Sequence, residues 1–176
     1  NDSLEGKKIS IQGVGNVATY LIGYLEKEGA QIFATDIYED RLKEVANKHK
    51  IQAVGLDEIY DLDVDIYAPC ALGATVNDET IERLKAQIIC GCANNQFKDE
   101  EKHGNACLEK GIIYAPDFLV NSGGVVNVYA EIIGAGTDWT KEHLSSVYDQ
   151  TLRIISTSLD TRKNAQAVAM EIAMAR

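Results

Sequence analysis

Lys8-Ile9-Ser10-Ile11-Gln12-Gly13-Val14-Gly15-Asn16-Val17-Ala18 joins a short apolar β-type run to two closely spaced glycines and the first residues of a helical pattern. From Asn16 to Glu28 the apolar residues Val17, Tyr20, Leu21, Tyr24 and Leu25 recur at three- and four-residue intervals, and Gly29 supplies the stop. Gln31 to Thr35 then reads as a second strand closed by Asp36, and Leu42, Val45 and Ala46 mark a second amphipathic helix. Within this βαβ unit Gly13-x-Gly15-x-x-Ala18 fits the Gly-x-Gly-x-x-Gly/Ala fingerprint of dinucleotide binding. The first glycine permits the tight turn, the second lets backbone approach a pyrophosphate, and the third position must be small so that helix and strand pack closely. The helix that starts here directs unpaired N–H groups and a positive dipole end at the phosphates.

The alternation continues outward from this unit. A short strand is expected near Gln52 to Val54, an apolar strand over Val64 to Ala68 stopped by Pro69, and further strands over Ile88 to Cys92 and Ile112 to Ala115. The last two are each preceded by a helical segment, Asp78 to Ala86 and Glu100 to Lys110. After Asn121-Ser122-Gly123-Gly124 the pattern is all helical, through Val125 to Ile133, Lys141 to Leu159 and Ala165 to Arg176. Strands alternating with helices predict an α/β fold, a three-layer, Rossmann-type, doubly wound and mostly parallel sheet with added C-terminal helices. At 176 residues with no internal linker or repeat, residues 1–176 are expected to form one domain.

With 45% hydrophobic and 25% charged residues, the composition excludes a disordered or collagen-like chain. The net charge of −10 and the lack of any basic run longer than Lys7-Lys8 argue against nucleic acid and acidic membrane surfaces as partners. No apolar stretch approaches the length of a membrane span and no secretion signal is seen. Cys70, Cys90, Cys92 and Cys107 have neither metal-site nor disulfide spacing, so they are expected to be buried free thiols of a cytoplasmic protein that binds no metal. The opening Asn1-Asp2-Ser3, without an initiator Met, points to a piece of something longer.

Asp36, twenty-three positions after Gly13, stands where a carboxylate accepts hydrogen bonds from the adenosine ribose and repels a 2′-phosphate, so the cofactor is expected to be NAD and not NADP. Its alternative use is to cap the following helix. Arg41, inside that helix, reads as a solvated charge with some reach towards the adenosine end, leaving no arginine immediately beside Asp36. Ala93-Asn94-Asn95-Gln96 and Asn121-Ser122-Gly123-Gly124 are unusually polar for positions just after buried strands. Their amides are placed either to fix the nicotinamide and its ribose in the crevice beyond the strand ends or to form turns and caps. Val125 and Val128, three apart at the start of the next helix, face one side: towards a substrate cleft, or into the core of that helix's packing.

Taken together, Gly13-Val14-Gly15-Asn16-Val17, Asp65-Ile66-Tyr67-Ala68-Pro69-Cys70-Ala71-Leu72-Gly73, Ala93-Asn94-Asn95-Gln96 and Tyr114-Ala115-Pro116-Asp117 through Gly124 resemble the glutamate, leucine, phenylalanine and valine dehydrogenase superfamily, and within it the leucine-specific branch. The resemblance runs strongly from Leu4 to about Tyr148 and weakly beyond. It implies an enzyme that oxidatively deaminates a branched-chain L-amino acid to a 2-oxo acid and ammonia while reducing NAD, and that is a homo-oligomer. It also implies cofactor contacts at Gly13, Val14, Gly15, Asn16, Val17, Asp36, Ile37, Cys70, Ala71, Asn94, Asn95 and Asn121, and a substrate side-chain pocket at Val125 and Val128. In glutamate-specific relatives a serine matches Val128 and binds the substrate carboxylate, which valine cannot do. The family's catalytic lysine follows a glycine triplet on a separate N-terminal domain. None of the twelve lysines here does so, no residue is assigned as catalytic, and the chain alone is expected to be inactive. Departures are Cys92 for a usual serine or alanine, Ser122 for a usual alanine, and Ala18 for a frequent glycine. The competing reading is a stand-alone dinucleotide-binding module without chemistry.

Overall fold

The Lys8–Gln12 run pleats as a strand (β1) that sends Ile9 and Ile11 to one face and Ser10 to the other, all three buried, as a strand covered on both sides requires. After it come α1 (Asn16–Lys27), β2 (Gln31–Thr35), α2 (Glu39–Lys48), β3 (Ile51–Ala53), β4 (Ile66–Pro69), α3 (Thr80–Arg83), β5 (Ile88–Ile89), α4 (Glu100–Glu109), β6 (Ile113–Tyr114), α5 (Asp117–Val120), α6 (Gly123–Ile132), α7 (Thr137–Thr161) and α8 (Ala165–Met174). This is a computed structural model describing residues 3–175; the start at Asn1-Asp2 and the expected helix end at Arg176 lie outside the described residues. The strands form one sheet in the order β3-β2-β1-β4-β5-β6, with every neighbouring pair parallel. The expected doubly wound α/β fold is therefore present, and its sheet is wholly, not mostly, parallel.

Three layers follow from two cores. On one face Ile9, Ile11 and Ile32 pack with Ala18, Ile22 and Leu25 of α1 and Val45 of α2. On the other, Tyr67, Ile89 and Tyr114 pack with Ile81 of α3 and Cys107 of α4. Each fully buried Ile contributes about 1.5–3 kcal/mol, so these layers rather than helix propensity hold the elements in place. A smaller cluster of Ile154, Ala165, Val168 and Ala169 fastens α7 to α8. The chain order reverses between β1 and β4, and in an open parallel sheet the crevice beyond the strand ends at such a reversal is where ligands bind.

Short elements depart from expectation. β5 stops at Ile89 instead of Cys92, because Gly91 presses so close to β4 that a Cβ there would lie 2.2 Å from the Pro69 carbonyl oxygen. Pro69 does not stop β4 but is its last residue. The helix expected over Asp78 to Ala86 shrinks to α3. Asn77 Oδ1 takes the N–H groups of Glu79 and Thr80 at its start, and Leu84 is already extended at its end. α5 and a 3₁₀ turn at Glu58–Tyr60 were not legible in the sequence, and α6 begins at Gly123 rather than Val125.

Candidate functional site

Helix starts differ in this chain by what caps them. α4 is capped by Asp99, whose carboxylate accepts from the Lys102 N–H at 2.9 Å, and α8 by Asn164, whose Oδ1 accepts from the Ala167 N–H at 2.8 Å. α1 has Gly15 at the cap position and no side-chain cap. Among the described residues no protein acceptor takes the N–H groups of Gly15, Asn16 or Val17. A Cβ placed on Gly15 would meet nothing within 4 Å, so the space beside this turn is open. Gly13 is the opposite case. Its φ is +96°, and a Cβ there would lie 2.8 Å from the Ala71 backbone nitrogen, so only glycine lets β1 turn beneath the loop after β4. Ala18 is buried against the sheet, as the third fingerprint position requires.

The loop opens onto a cleft of about 410 Å³, among whose lining residues are Gly13, Gly15, Asp36, Ile37, Cys70 and Ala71 of the expected cofactor set. Gln12 forms part of the wall, held by a hydrogen bond from the Tyr67 hydroxyl and donating to the Tyr60 hydroxyl at 2.5 Å. Ile37, Tyr38, Leu56 and Leu72 give the same cleft exposed apolar surface on which a flat ring can lie. Val14 differs from expectation. Its side chain is core, and its N–H is already donated to Asp36 Oδ2 at 2.8 Å, so it has no free donor for a phosphate.

Asp36 holds the turn into α2 to the glycine loop. Its side chain is nearly buried, and Oδ1 accepts from the Tyr38 N–H at 2.9 Å, which fixes the turn into α2. Each carboxylate oxygen keeps a second lone pair for a ribose hydroxyl. Arg41, expected to be merely solvated, has its guanidinium 3.7 Å from Asp36 Oδ2 and over the Tyr38 ring at 4.7 Å. An arginine does stand beside Asp36, because the first turn of α2 folds back over the end of β2.

The amide segments come together across the sheet's carboxyl edge. Asn121 Nδ2 donates to the Ala93 carbonyl at 3.0 Å and lies 3.5 Å from Asn94 Oδ1. Asn94 and Asn95 are exposed, and Asn95 adopts φ +53°, a conformation that suits asparagine in a turn. Gln96 and Asp117, quoted in the sequence only as parts of longer motifs, are buried positioning residues. Asp117 accepts from the Gln96 N–H at 3.1 Å, and Gln96 Nε2 donates to the carbonyls of Gly91 and Ala93, so together they set the loop that carries Asn94. The signal was available in Pro116-Asp117, a helix start lying directly after a strand. Val125 and Val128 are exposed on α6, at 74% and 55%, which removes their reading as core positions of that helix.

The four thiols are free, but only Cys107 is buried; Cys70, which lines the cleft, Cys90 and Cys92 are half-buried. Burial pushes Cys107 up to about 12. Hydrogen bonding with Cys70 holds the Cys92 thiol below the usual thiol range, while the Cys92 N–H points at Cys70 Sγ at 3.5 Å. Among the described residues no helix is long and apolar enough to cross a membrane.

Residues 35–175 match the family described as Glutamate/Leucine/Phenylalanine/Valine dehydrogenase. A leucine dehydrogenase of Bacillus cereus is 48% identical over 157 residues, which is 89% of this chain and 43% of that protein. A phenylalanine dehydrogenase of Lysinibacillus sphaericus is 40% identical over 161 residues, 89% of this chain and 42% of that protein. The crystal structure of L-tryptophan dehydrogenase from Nostoc punctiforme superposes with a TM-score of 0.95 at 37% identity, covering 99% of this chain and 53% of that one. The chain thus spans under half the length of these curated relatives.

Proposed function

This chain belongs to the glutamate/leucine/phenylalanine/valine dehydrogenase family, and from that premise we propose that it is the NAD-binding domain of an L-amino-acid dehydrogenase, selective for branched-chain substrates. The observation that carries the cofactor reading is the uncapped start of α1. Its N–H groups at Gly15, Asn16 and Val17 have no protein acceptor, and Gly15 lines a cleft that Asp36 also lines. These donors and the helix dipole receive a pyrophosphate. Asp36 takes the adenosine ribose, Ile37 and Leu72 flank the adenine, and Cys70, Ala71, Asn94, Asn95 and Asn121 hold the nicotinamide end. When bound, NAD supplies the acceptor for the hydride that leaves the amino-acid Cα.

No acid or base is assigned to this chain. Proton transfer needs a positioned group within hydrogen-bond reach of the substrate amine, and by family resemblance that group sits on a separate domain of a longer, homo-oligomeric, cytoplasmic enzyme. Val125 and Val128 give the substrate side chain an apolar wall that disfavours a carboxylate, which would be left buried without a partner. Similarity to tryptophan and phenylalanine dehydrogenases supports a second reading, an aromatic substrate, against which two branched side chains leave little room.

The test is NAD-dependent turnover of leucine, valine, phenylalanine, tryptophan and glutamate by the full-length polypeptide. Leucine or valine is expected to have the highest kcat/KM. Val128→Ser is expected to narrow their lead over glutamate, an effect typically of about 1–3 kcal/mol. Residues 1–176 alone are expected to produce no NADH. An aromatic or glutamate optimum, or unchanged ratios in Val128→Ser, defeats the branched-chain reading.

A further inference from the structure

Two of the four thiols meet where the chain leaves β4 and β5. Cys70 directly follows β4, and the stretch after β5 carries Cys90 and Cys92. Backbone bonds tie the two stretches together: the Ala93 N–H donates to the Pro69 carbonyl at 2.9 Å, and the Ala74 N–H to the Asn95 carbonyl at 2.6 Å. Between those bonds the Cys92 N–H points at Cys70 Sγ at 3.5 Å. β4 and β5 are neighbours in the sheet, and neighbouring strands run about 4.7–4.9 Å apart, inside the Cα separation of about 4.4–6.8 Å that a disulfide spans. Cys90 sits further back, its N–H held by the Tyr67 carbonyl at 3.1 Å beside β4 itself. The hydrogen bond between the two thiols holds Cys92 below the usual thiol range and Cys70 above it, so Cys92 is the nucleophile and Cys70 keeps the proton. Both are half-buried, within reach of a small oxidant. Cys92 stands where the family resemblance leads one to expect serine or alanine, so the pair is no general part of a cofactor site.

We propose that Cys70 and Cys92 are a peroxide-sensitive pair whose reversible disulfide weakens cofactor binding in the cleft. The effect on binding rests on the reading of this cleft as a nicotinamide-dinucleotide site. The Cys92 thiolate attacks one oxygen of hydrogen peroxide, the O–O bond breaks, and the departing hydroxide takes up the proton released from Cys92 as water, leaving a sulfenic acid. Cys70 sulfur then attacks the Cys92 sulfur, and the expelled hydroxide leaves as water with the Cys70 proton. Two thiols lose two electrons and one peroxide becomes two waters; a dithiol reverses the bridge by exchange. The bridge draws the sulfurs from non-bonded contact to about 2.05 Å. Movement at Cys70 reaches Ala71, whose backbone nitrogen lies 2.8 Å from where a Gly13 Cβ would be, and so presses on the glycine turn. Movement at Cys92 reaches Ala93, whose carbonyl holds Asn121 Nδ2 at 3.0 Å. Both walls of the cleft's inner end are therefore displaced by one bond.

The experiment treats the chain with hydrogen peroxide, removes the excess, maps the bridge by peptide mass spectrometry without reduction, and titrates NADH before treatment, after it, and after dithiothreitol. Wild type, Cys92→Ser and Cys90→Ser are compared, with thermal unfolding as the check on folding and Cys92→Ala as the second variant at that position. The wild type is expected to yield one crosslinked pair of peptides joining Cys70 to Cys92, to bind NADH about tenfold or more weakly, and to recover fully with dithiothreitol. Cys90→Ser is expected to behave as the wild type. Cys92→Ser and Cys92→Ala are expected to form no bridge and to keep their NADH affinity within about threefold through the treatment. A bridge to Cys90, oxidation of Cys92 without a bridge, or a bridged chain that binds NADH as before overturns the switch and leaves the dinucleotide site standing. Failure of the reduced wild type to bind NADH overturns the site, and the switch with it.

Discussion

Gly13 and Gly15 are two residues apart and do opposite work. Gly13 has a backbone conformation that L side chains rarely adopt and a neighbouring backbone nitrogen where its Cβ would be; Gly15 has φ −69° and open space. Gly13→Ala is expected to destabilise the fold by about 1–3 kcal/mol or more, since strain and overlap add. Gly15→Ala is expected to cost no more than about 1 kcal/mol, the loss of a favourable cap residue without strain or overlap. Thermal unfolding separates them, and similar losses in both variants would mean that the Gly15 position is structural. At the same scale the thiols differ in reactivity. Cys92 is held low by Cys70, and Cys107 is pushed up to about 12 by burial. Because the thiolate is the nucleophile, iodoacetamide at pH 8 is expected to label Cys92 before Cys107. Peptide mass spectrometry reads the order, and early labelling of Cys107 contradicts it.

At the scale of elements, acidic side chains tie helices and strands to their neighbours. Asp65 accepts from the Lys8 N–H at 2.8 Å where β1 begins, and that bond holds its carboxyl below the usual carboxylate range. Lys102 and His103 do the same for Asp78 ahead of α3, and Arg83 for Asp61 and Asp57. Folded values below the unfolded ones mean stability that is fully present above about pH 4 and lost as pH falls through the folded values. The unfolding midpoint is expected to drop steeply below that point, and Asp65→Asn to lower the midpoint at pH 6 and soften the acid loss. Thermal melts from pH 2.5 to 6 check this, and an unchanged profile in Asp65→Asn removes Asp65 from the account. Elements of this chain were legible where their pattern is local. The repeat Val17, Tyr20, Leu21, Tyr24 and Leu25 fixes α1 within a residue, and β2 falls where expected. α3 and β5 were overextended because their ends are set by Asn77 and by the Pro69–Gly91 contact, which periodicity cannot see. In the site, the glycine turn was legible for the same local reason. The inward bonds of Asp36 to Val14 and the approach of Arg41 were not, since both depend on how β2 and α2 close over β1.

For the whole molecule, a net charge of −10 works against an anionic dinucleotide at long range. On the proposed reading, binding comes from local contacts: the N–H donors at the open N-terminus of α1 and the Asp36 carboxylate as acceptor for the ribose, near the reversal of the sheet order. Long-range repulsion is screened by salt while direct donor contacts are less so, and the two act in the same cleft. The most direct test is calorimetric titration of NADH into the wild-type chain and into Gly15→Ala, with ADP-ribose as competitor. Saturable one-to-one binding to the wild type, displaced by ADP-ribose and weakened by about tenfold or more in a normally folded Gly15→Ala, is the predicted result. Absence of saturable binding to the wild type, or binding that Gly15→Ala leaves unchanged, would contradict the assignment of this cleft.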